Sequence, residues 1–411
     1  PLFVNESGRH WFTALNAWRH FKSQVPHADK VWTNSDRLFA WMLSHLPFVR
    51  KDYARVRADI YPVRLWTVAI FIFGVLPLVR RRGIGRVTIG NEFDSTSRQS
   101  HSGITHYAAV YDQSRWFDEA LTRYYHRKNW NITQFSVLRP LSELLIEKVL
   151  TERYPGLQKL QVSCHAAHVK EDAALPCGKC EKCRRVVGML TALDADATRC
   201  GYSQAQIRAC LDALTAPGAH QERAVFQHIL HLLADKGIVE SIGRVRPRPE
   251  VLSLRFDRER SPHEAVPADI REPLYRILLE HADGAMERRG RLWIKTDPLS
   301  QEALGTPYAF DRPRSGDTGP GGPHVLLGPL TWPQAERRFA EVDLALLPVG
   351  AIEQHGPHLP LDTDAWDAER LCNDVAEACS RPRPIVLPLI SYGVSYHHDD
   401  FAGTISISPD T

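Results

Sequence analysis

Two stretches of this 411-residue chain gather side chains that could do chemistry: "SCHAAHVKEDAALPCGKCEKC" and "VGAIEQHGPHLPLDTD". The first supplies Cys164, Cys177, Cys180 and Cys183 in the spacing C-x12-C-x2-C-x2-C. Two-residue gaps let consecutive thiolates turn back onto one ion, and four thiolates close a tetrahedral Zn²⁺ shell. A closed shell leaves no position for a substrate, so a zinc held this way is structural. Reduced cysteines without metal and an iron–sulfur cluster are the competing accounts, and His165 and His168 are bystanders once four sulfurs suffice. The second stretch puts Glu353 and His355 on the same side of an extended segment, with Asp364 nine residues after His355. A carboxylate, an imidazole and a second carboxylate form a mixed O/N set for Zn²⁺, Mn²⁺ or a pair of such ions. Gly356, Pro357 and Pro360 hold the fixed, irregular path that ligand placement needs, whereas His358 and Asp362 read as surface or supporting groups.

The elements around these stretches point to an α/β fold with two parallel-sheet domains. Residues 1–200 alternate short β-like runs with helical patterns, as a mostly parallel sheet flanked by helices requires. In "RVTIGNEFDST", Val87, Thr88 and Ile89 read as a buried strand and Gly90 as the opening of a polar loop. Asn91, Glu92 and Asp94 in that loop are candidate nucleotide or substrate contacts, with ordinary turn residues as the alternative. Asn34, Ser35 and Asp36 are explained as well by a helix cap. Residues 201–310 carry helical spacing, for example Ile207, Cys210, Leu211 and Leu214, and read as a helical connecting module. "RVRPRPE" and the Pro/Gly-rich Asp311–His324 are linkers, the second marking the main domain boundary at 311–325. From 326 to 411, "VDLALLPVG" and "RPIVLPLISYG" suit central parallel strands, and "DAWDAERLCNDVAEACS" is their crossover helix. Ligand groups of such sheets gather beyond the carboxyl ends of the strands, where the Glu-His-Asp loop and "SYGVSYHHDDFAG" both lie.

Composition narrows the function classes. A formal charge of +3, with no Lys/Arg run that would argue for wrapping nucleic acid, speaks against direct nucleic-acid binding. The longest apolar run, Leu65–Val79, is fifteen residues and contains Pro77, short of the roughly 18–20 that cross a bilayer, so a buried helix or helix-strand pair inside an α/β core is expected and no membrane association. Four of eight cysteines in one segment suggest metal in a reducing compartment, and no secretory leader follows Pro1, so the expected location is cytoplasmic.

"IGNEFDSTS" followed by "SCHAAH…CGKCEKCRRVVGML" resembles the 7-cyano-7-deazaguanine synthase group of the PP-loop pyrophosphatase superfamily over residues 1–200. The resemblance implies a Rossmann-like domain that activates a carboxylate with ATP/Mg²⁺ and carries a zinc held by four cysteines. The superfamily's S-G-G-x-D-S phosphate loop has no counterpart here; "ESGRH" lacks the second Gly and the Asp, so the first strand and loop are expected upstream of Pro1.

"LTWPQAE", "LLPVGAIEQHGPHLPLDTD" and "YGVSYHHDDFAGTISIS" resemble the creatininase (creatinine amidohydrolase) family. That resemblance implies a metal-dependent amidohydrolase that opens cyclic amides or cleaves related C–N bonds. Glu353 and His355 then correspond to ligands of two different metals and Asp364 to the bridging carboxylate. His398 matches a His of the family's "EH" segment and is a candidate substrate contact, while His397 replaces the acidic neighbour. The family's later N-G-H loop, source of its remaining ligands, is not in this sequence. Together the two resemblances give a deazaguanine-synthase-like domain fused to a creatininase-type hydrolase. The substrate is expected to be a small, nucleobase-like molecule, and the assembly a homo-oligomer. The alternative is a non-catalytic zinc-containing scaffold with two degenerate half-sites.

Overall fold

A computed structural model describes residues 3–6, 11–56, 67–107, 110–164, 166–170, 173–216, 222–240, 246–310 and 325–410. The chain divides into two compact units, Pro1–Thr122 with Ile132–Asp311, and Arg123–Asn131 with Arg312–Thr411. The linker expected at Asp311–His324 and the bystander His165 lie outside the described residues.

The first unit is mixed α/β. Strand Phe3–Glu6 runs parallel to Asp29–Trp32, with helix Trp11–Lys22 between them in the chain. Strand Arg86–Thr88 runs parallel to Thr133–Phe135, and Ile89 extends that pairing by donating its N–H to the Phe135 carbonyl at 3.1 Å. Parallel neighbours need a crossover rather than a tight turn, which accounts for the alternation in the sequence. The apolar run becomes helix Thr67–Arg81, with Pro77 inside it and Ile72, Leu76 and Val79 buried; Leu65 lies outside the described residues. No helix among the described residues is long and apolar enough to cross a membrane.

The expectation of a purely helical module at 201–310 is corrected. Helices Gln204–Asp212 and Arg223–Asp235 are present, but Leu254–Phe256, Ala285–Arg289 and Leu292–Lys295 form a three-stranded sheet. Its central strand is parallel to the first and antiparallel to the last. Arg289 pairs with Leu292 across a two-residue turn, and Gly290 there has the positive φ of 61° that such a turn demands. The segment also shares cores with residues before 201. Leu141 and Leu145 pack with Leu254, Phe256, Tyr275 and Leu278, while the four cysteines pack with Val187, Leu190, Leu214, Val225, Ile229 and Leu233.

In the second unit, two-residue strands Ala345–Leu346 and Ile385–Val386 are parallel, and helix Thr363–Ala378 connects them. Further single bridges, Val349 to Ile390, Ile352 to Ile405 and Gly393 to Ser406, tie the loops together beyond the strand ends.

Candidate metal centres

The four sulfurs of Cys164, Cys177, Cys180 and Cys183 lie within 4.8 Å of one another, and each residue is at most 9% exposed. Cys177 and Cys180 sit on the turn before helix Glu181–Ala192 and Cys183 in its first turn; Cys164 reaches in from the preceding loop. Gly178 takes φ +66°, left-handed backbone that lets the Cys-x-x-Cys turn fold back. Backbone N–H groups then point at sulfur: Ala166 and Cys177 donate to Cys164 Sγ at 3.3 Å, and Lys179 and Cys180 donate to Cys177 Sγ at 3.4 Å. Such donors favour the thiolate form, which a buried thiol otherwise resists. The Cys180 sulfur beside it, then burial, push the Cys164 thiol up to about 11, and Cys183 is pushed further by Cys164 and Cys180. Four crowded sulfurs facing inward with backbone donors around them form a donor set suited to a thiophilic cation.

The Asn91, Glu92 and Asp94 loop is tied into the interior of its unit. The Asn91 carbonyl accepts from Ser136 Oγ at 2.7 Å, the Glu92 carbonyl from Ser95 Oγ at 2.6 Å, and the Asp94 carboxylate from Ser97 Oγ at 2.8 Å. Burial pushes both carboxyl groups above the usual range. Between them, Phe93 is 1% exposed beneath the Arg255 guanidinium, which lies 3.9 Å from the ring centroid and pairs with Glu222. Asn34 precedes helix Ser35–His45 and makes no side-chain cap bond among the described residues.

In the second unit Glu353, His355 and Asp364 converge, their ligand atoms within 4.8 Å of one another. Three constraints produce this. The Gly350 N–H donates to the Ile390 carbonyl at 2.9 Å, and Ile405 N–H to the Ile352 carbonyl at 2.8 Å, so "VGAI" is held between two neighbouring segments. Gly350 lets that segment press against the start of helix Thr363–Ala378, since a Cβ there would sit 2.4 Å from the Ala365 Cα. Gly356, at φ +75°, turns the chain away immediately after His355. Asp364 lies in the first turn of the helix, where a carboxylate also favours the helix dipole.

His355 is oriented at both nitrogens. Its Nδ1 lies 3.0 Å from the Glu353 carbonyl oxygen and its Nε2 3.0 Å from Asp364 Oδ1. With Nδ1–H given to the carbonyl, Nε2 is the atom offered to a cation, the arrangement in which outer partners orient a ligating His. The Glu353 carbonyl first and the Asp364 carboxylate second hold this imidazole above its ordinary pKa. That preference for positive charge between His355 and Asp364 is one a metal ion satisfies equally, so the residues present fit a divalent cation.

Sequence reasoning placed His398 as a substrate contact and did not bring His397 to the acidic loop. The structure sets His397 Nε2 at 3.8 Å and His398 Nε2 at 3.9 Å from Glu353 Oε1. The signal in the sequence is the doublet in "YHHDD", which a polar loop explains equally well. His358 and Asp362 belong to neither convergent group.

Residues 329–411 match the family model described as creatininase, creatinine amidohydrolase. A mycofactocin precursor peptide peptidase of Mycolicibacterium smegmatis is 46% identical over 69 residues, 16% of this chain and 28% of the relative. The creatinine amidohydrolase of Pseudomonas putida is 38% identical over 93 residues, 21% of this chain and 35% of the relative. A solved structure described as "Creatininase Mn" aligns at 37% identity over 20% of this chain and 34% of that one, with a TM-score of 0.19. The chain spans about a third of the length of the curated relatives it matches. Residues 329–411 are thus similar to the creatininase family, and the likeness is confined to this C-terminal region.

Proposed function

We propose that the C-terminal region is the metal-binding part of a hydrolase acting on an amide C–N bond, with Glu353, His355 and Asp364 as ligands. The convergence of these three groups carries the reading. Bound Mn²⁺ or Zn²⁺ would supply Lewis acidity toward the amide carbonyl and toward water. The protein's part is to fix the donors: Gly350 sets the loop against the helix, and the Glu353 carbonyl fixes the His355 ring. Relatives named for a peptide and for creatinine suggest either a peptide or a small cyclic amide as substrate. Manganese and a "Zn-Zn type" among the solved creatininases favour those two metals. The test is ring opening of creatinine to its open-chain carboxylate, and release of an amine from a short peptide, by metal-loaded protein, with Glu353→Gln and Asp364→Asn as controls. Amide cleavage that depends on added Mn²⁺ or Zn²⁺ and is lost in both variants supports the reading; cleavage unaffected by either variant overturns it.

For residues 1–200 the reading is a deazaguanine-synthase-like domain whose four cysteines hold a structural zinc. The buried, convergent sulfurs support the zinc. The tight interior bonding of the Asn91–Asp94 loop makes these residues supports of the fold in this reading, so ATP/Mg²⁺ use rests on the resemblance alone. ATP-to-pyrophosphate exchange with a carboxylate acceptor tests it.

A further inference from the structure

Strand Thr133–Phe135 runs out into a recess of the first unit that neither metal site uses. Gln134 and Phe135 come from the strand, Ser136 and Arg139 follow its carboxyl end, and Asp118 and Tyr308 also line it. Ligand groups of parallel α/β sheets gather at this end of the strands. The recess is open on one side, and its volume of about 10 Å³ takes one water-sized group.

Two buried side chains each bring an unused polar atom to this recess. Gln134 and Arg139 are both 1% exposed. Gln134 Nε2 donates to Asp118 Oδ1 at 2.9 Å; a carboxylate only accepts, so this bond fixes the amide and leaves Oε1 unpartnered among the described residues. Arg139 donates from Nη2 to Asp118 Oδ2 at 2.7 Å and from Nη1 to Ser95 Oγ at 2.6 Å, and its Nε–H is left unpartnered in the same way. One acceptor and one donor, held by the same carboxylate, thus lack bonds that burial makes costly to omit. The fixed charges cancel in pairs, since Asp118 meets Arg139 and Glu119 meets Arg115. Half-buried Glu264 adds one more carboxylate to the lining.

We propose that this recess binds the primary carboxamide of a small, neutral, aliphatic ligand. The ligand C=O accepts from Arg139 Nε–H, one of its amide N–H groups donates to Gln134 Oε1, and the second is left for Glu264. Other heads fit the same atoms less well. An ammonium would set a donor against Arg139 Nε–H, and a carboxylate would set an acceptor against Gln134 Oε1 and Glu264. A flat heterocycle lacks a slot, because Tyr308 meets Phe135 at 72° and Phe310 at 58° and so lies parallel to neither ring. Water can satisfy the same two atoms, so binding is an exchange for water and falls in the millimolar range for a ligand of a few atoms.

The experiment is a ligand-observed NMR titration of the 411-residue chain with propionamide, compared with its N,N-dimethyl derivative, propionate, propylammonium and cytosine. Propionamide is expected to bind roughly tenfold more tightly than any of the others, the worth of about one buried hydrogen bond. The absence of saturable propionamide binding overturns the proposal, as does equal binding of the dimethyl amide, propionate or propylammonium. Cytosine binding as tightly as propionamide overturns it in favour of a flat ring. Gln134→Met should weaken propionamide roughly tenfold; unchanged affinity in a variant that melts like the parent places the binding elsewhere. If that variant does not fold, crystals of the parent soaked in propionamide decide: the amide against Arg139 Nε supports the proposal, and water alone there overturns it. No metal is added in either experiment, so neither outcome bears on the hydrolase reading.

Discussion

The two candidate metal sites are built in opposite ways. In the first unit the ligands are core residues: Cys183 is 0% exposed and lies among Val187, Leu190 and Ile229, so the helices that need a core and the sulfurs that need an ion share one interior. In the second unit the ligands sit on a loop beyond two-residue strands and at the start of a helix, the Asp364 side chain is 44% exposed, and Trp332, Trp366 and Leu371 are each at least 60% exposed. A closed thiolate shell stabilises the fold around it and offers nothing to a substrate. An open O/N shell contributes little to stability but leaves positions for water and substrate. Preparing an ion for chemistry and using one as a fastener thus call for different surroundings even within one chain.

The largest effect should separate the two sites by loss of a ligand. Structural zinc in small modules is worth about 10–16 kcal/mol of apparent binding free energy at neutral pH. Cys180→Ser should therefore abolish the cooperative unfolding transition of the first unit, read by calorimetry, while Asp364→Asn should leave that transition in place. A first unit that melts identically with and without Cys180 would erase the contrast.

Core deletions should show the next largest difference. Leu190 is 0% exposed and Leu371 is 65% exposed. Leu190→Ala should cost about 2–5 kcal/mol, and Leu371→Ala should stay within about 0.5 kcal/mol, both measured by denaturant unfolding. Equal costs would show that the second unit's apolar surface is covered in solution.

A smaller, pH-dependent effect belongs to the first unit. Glu147 is 3% exposed; its Oε2 accepts from Gln161 at 2.5 Å while Oε1 has no partner among the described residues, and burial raises its pKa to about 7. A carboxyl whose folded pKa is raised binds its proton more tightly in the native state. Its contribution is fully present below about pH 4.5 and is lost as pH rises through about 7, by up to about 3 kcal/mol. Glu147→Gln should flatten the stability profile over that window; an unchanged slope would place the titration elsewhere. The smallest effect is at Gly350, where a Cβ meets Ala365 backbone at 2.4 Å. Gly350→Ala should lower Zn²⁺ or Mn²⁺ affinity of the second unit roughly tenfold through misplaced ligands, with the first unit's melting unchanged.

How much of this the sequence carries depends on how local the signal is. The four cysteines are legible because their spacing is itself the geometry: a Cys-x-x-Cys turn places two sulfurs together in any context. Glu353 and His355 are legible for a similar reason, and Asp364 because the start of the crossover helix could be read from "DAWDAERL". The approach of His397 and His398 to Glu353 was not legible, since it depends on Ile405 and Gly393 pairing across the loops. The sheet at 254–295 was hidden because Leu254–Phe256 is only three residues, all buried, without the alternation that marks a half-exposed strand. The Asn91–Asp94 loop read as a polar surface, yet its partners Ser136, Glu222 and Arg255 lie far along the chain. Composition could not show that they fold over it.

The central claim is that one chain holds a buried thiolate site and an open carboxylate–imidazole site. Anomalous diffraction from crystals grown with Zn²⁺ and soaked in Mn²⁺ tests it most directly. A zinc peak about 2.3 Å from all four cysteine sulfurs is expected, together with manganese or zinc density at one or two positions about 2.0–2.2 Å from the ligand atoms of Glu353, His355 and Asp364. A zinc peak at the cysteines with no density bridging Glu353, His355 and Asp364 at saturating metal would contradict it.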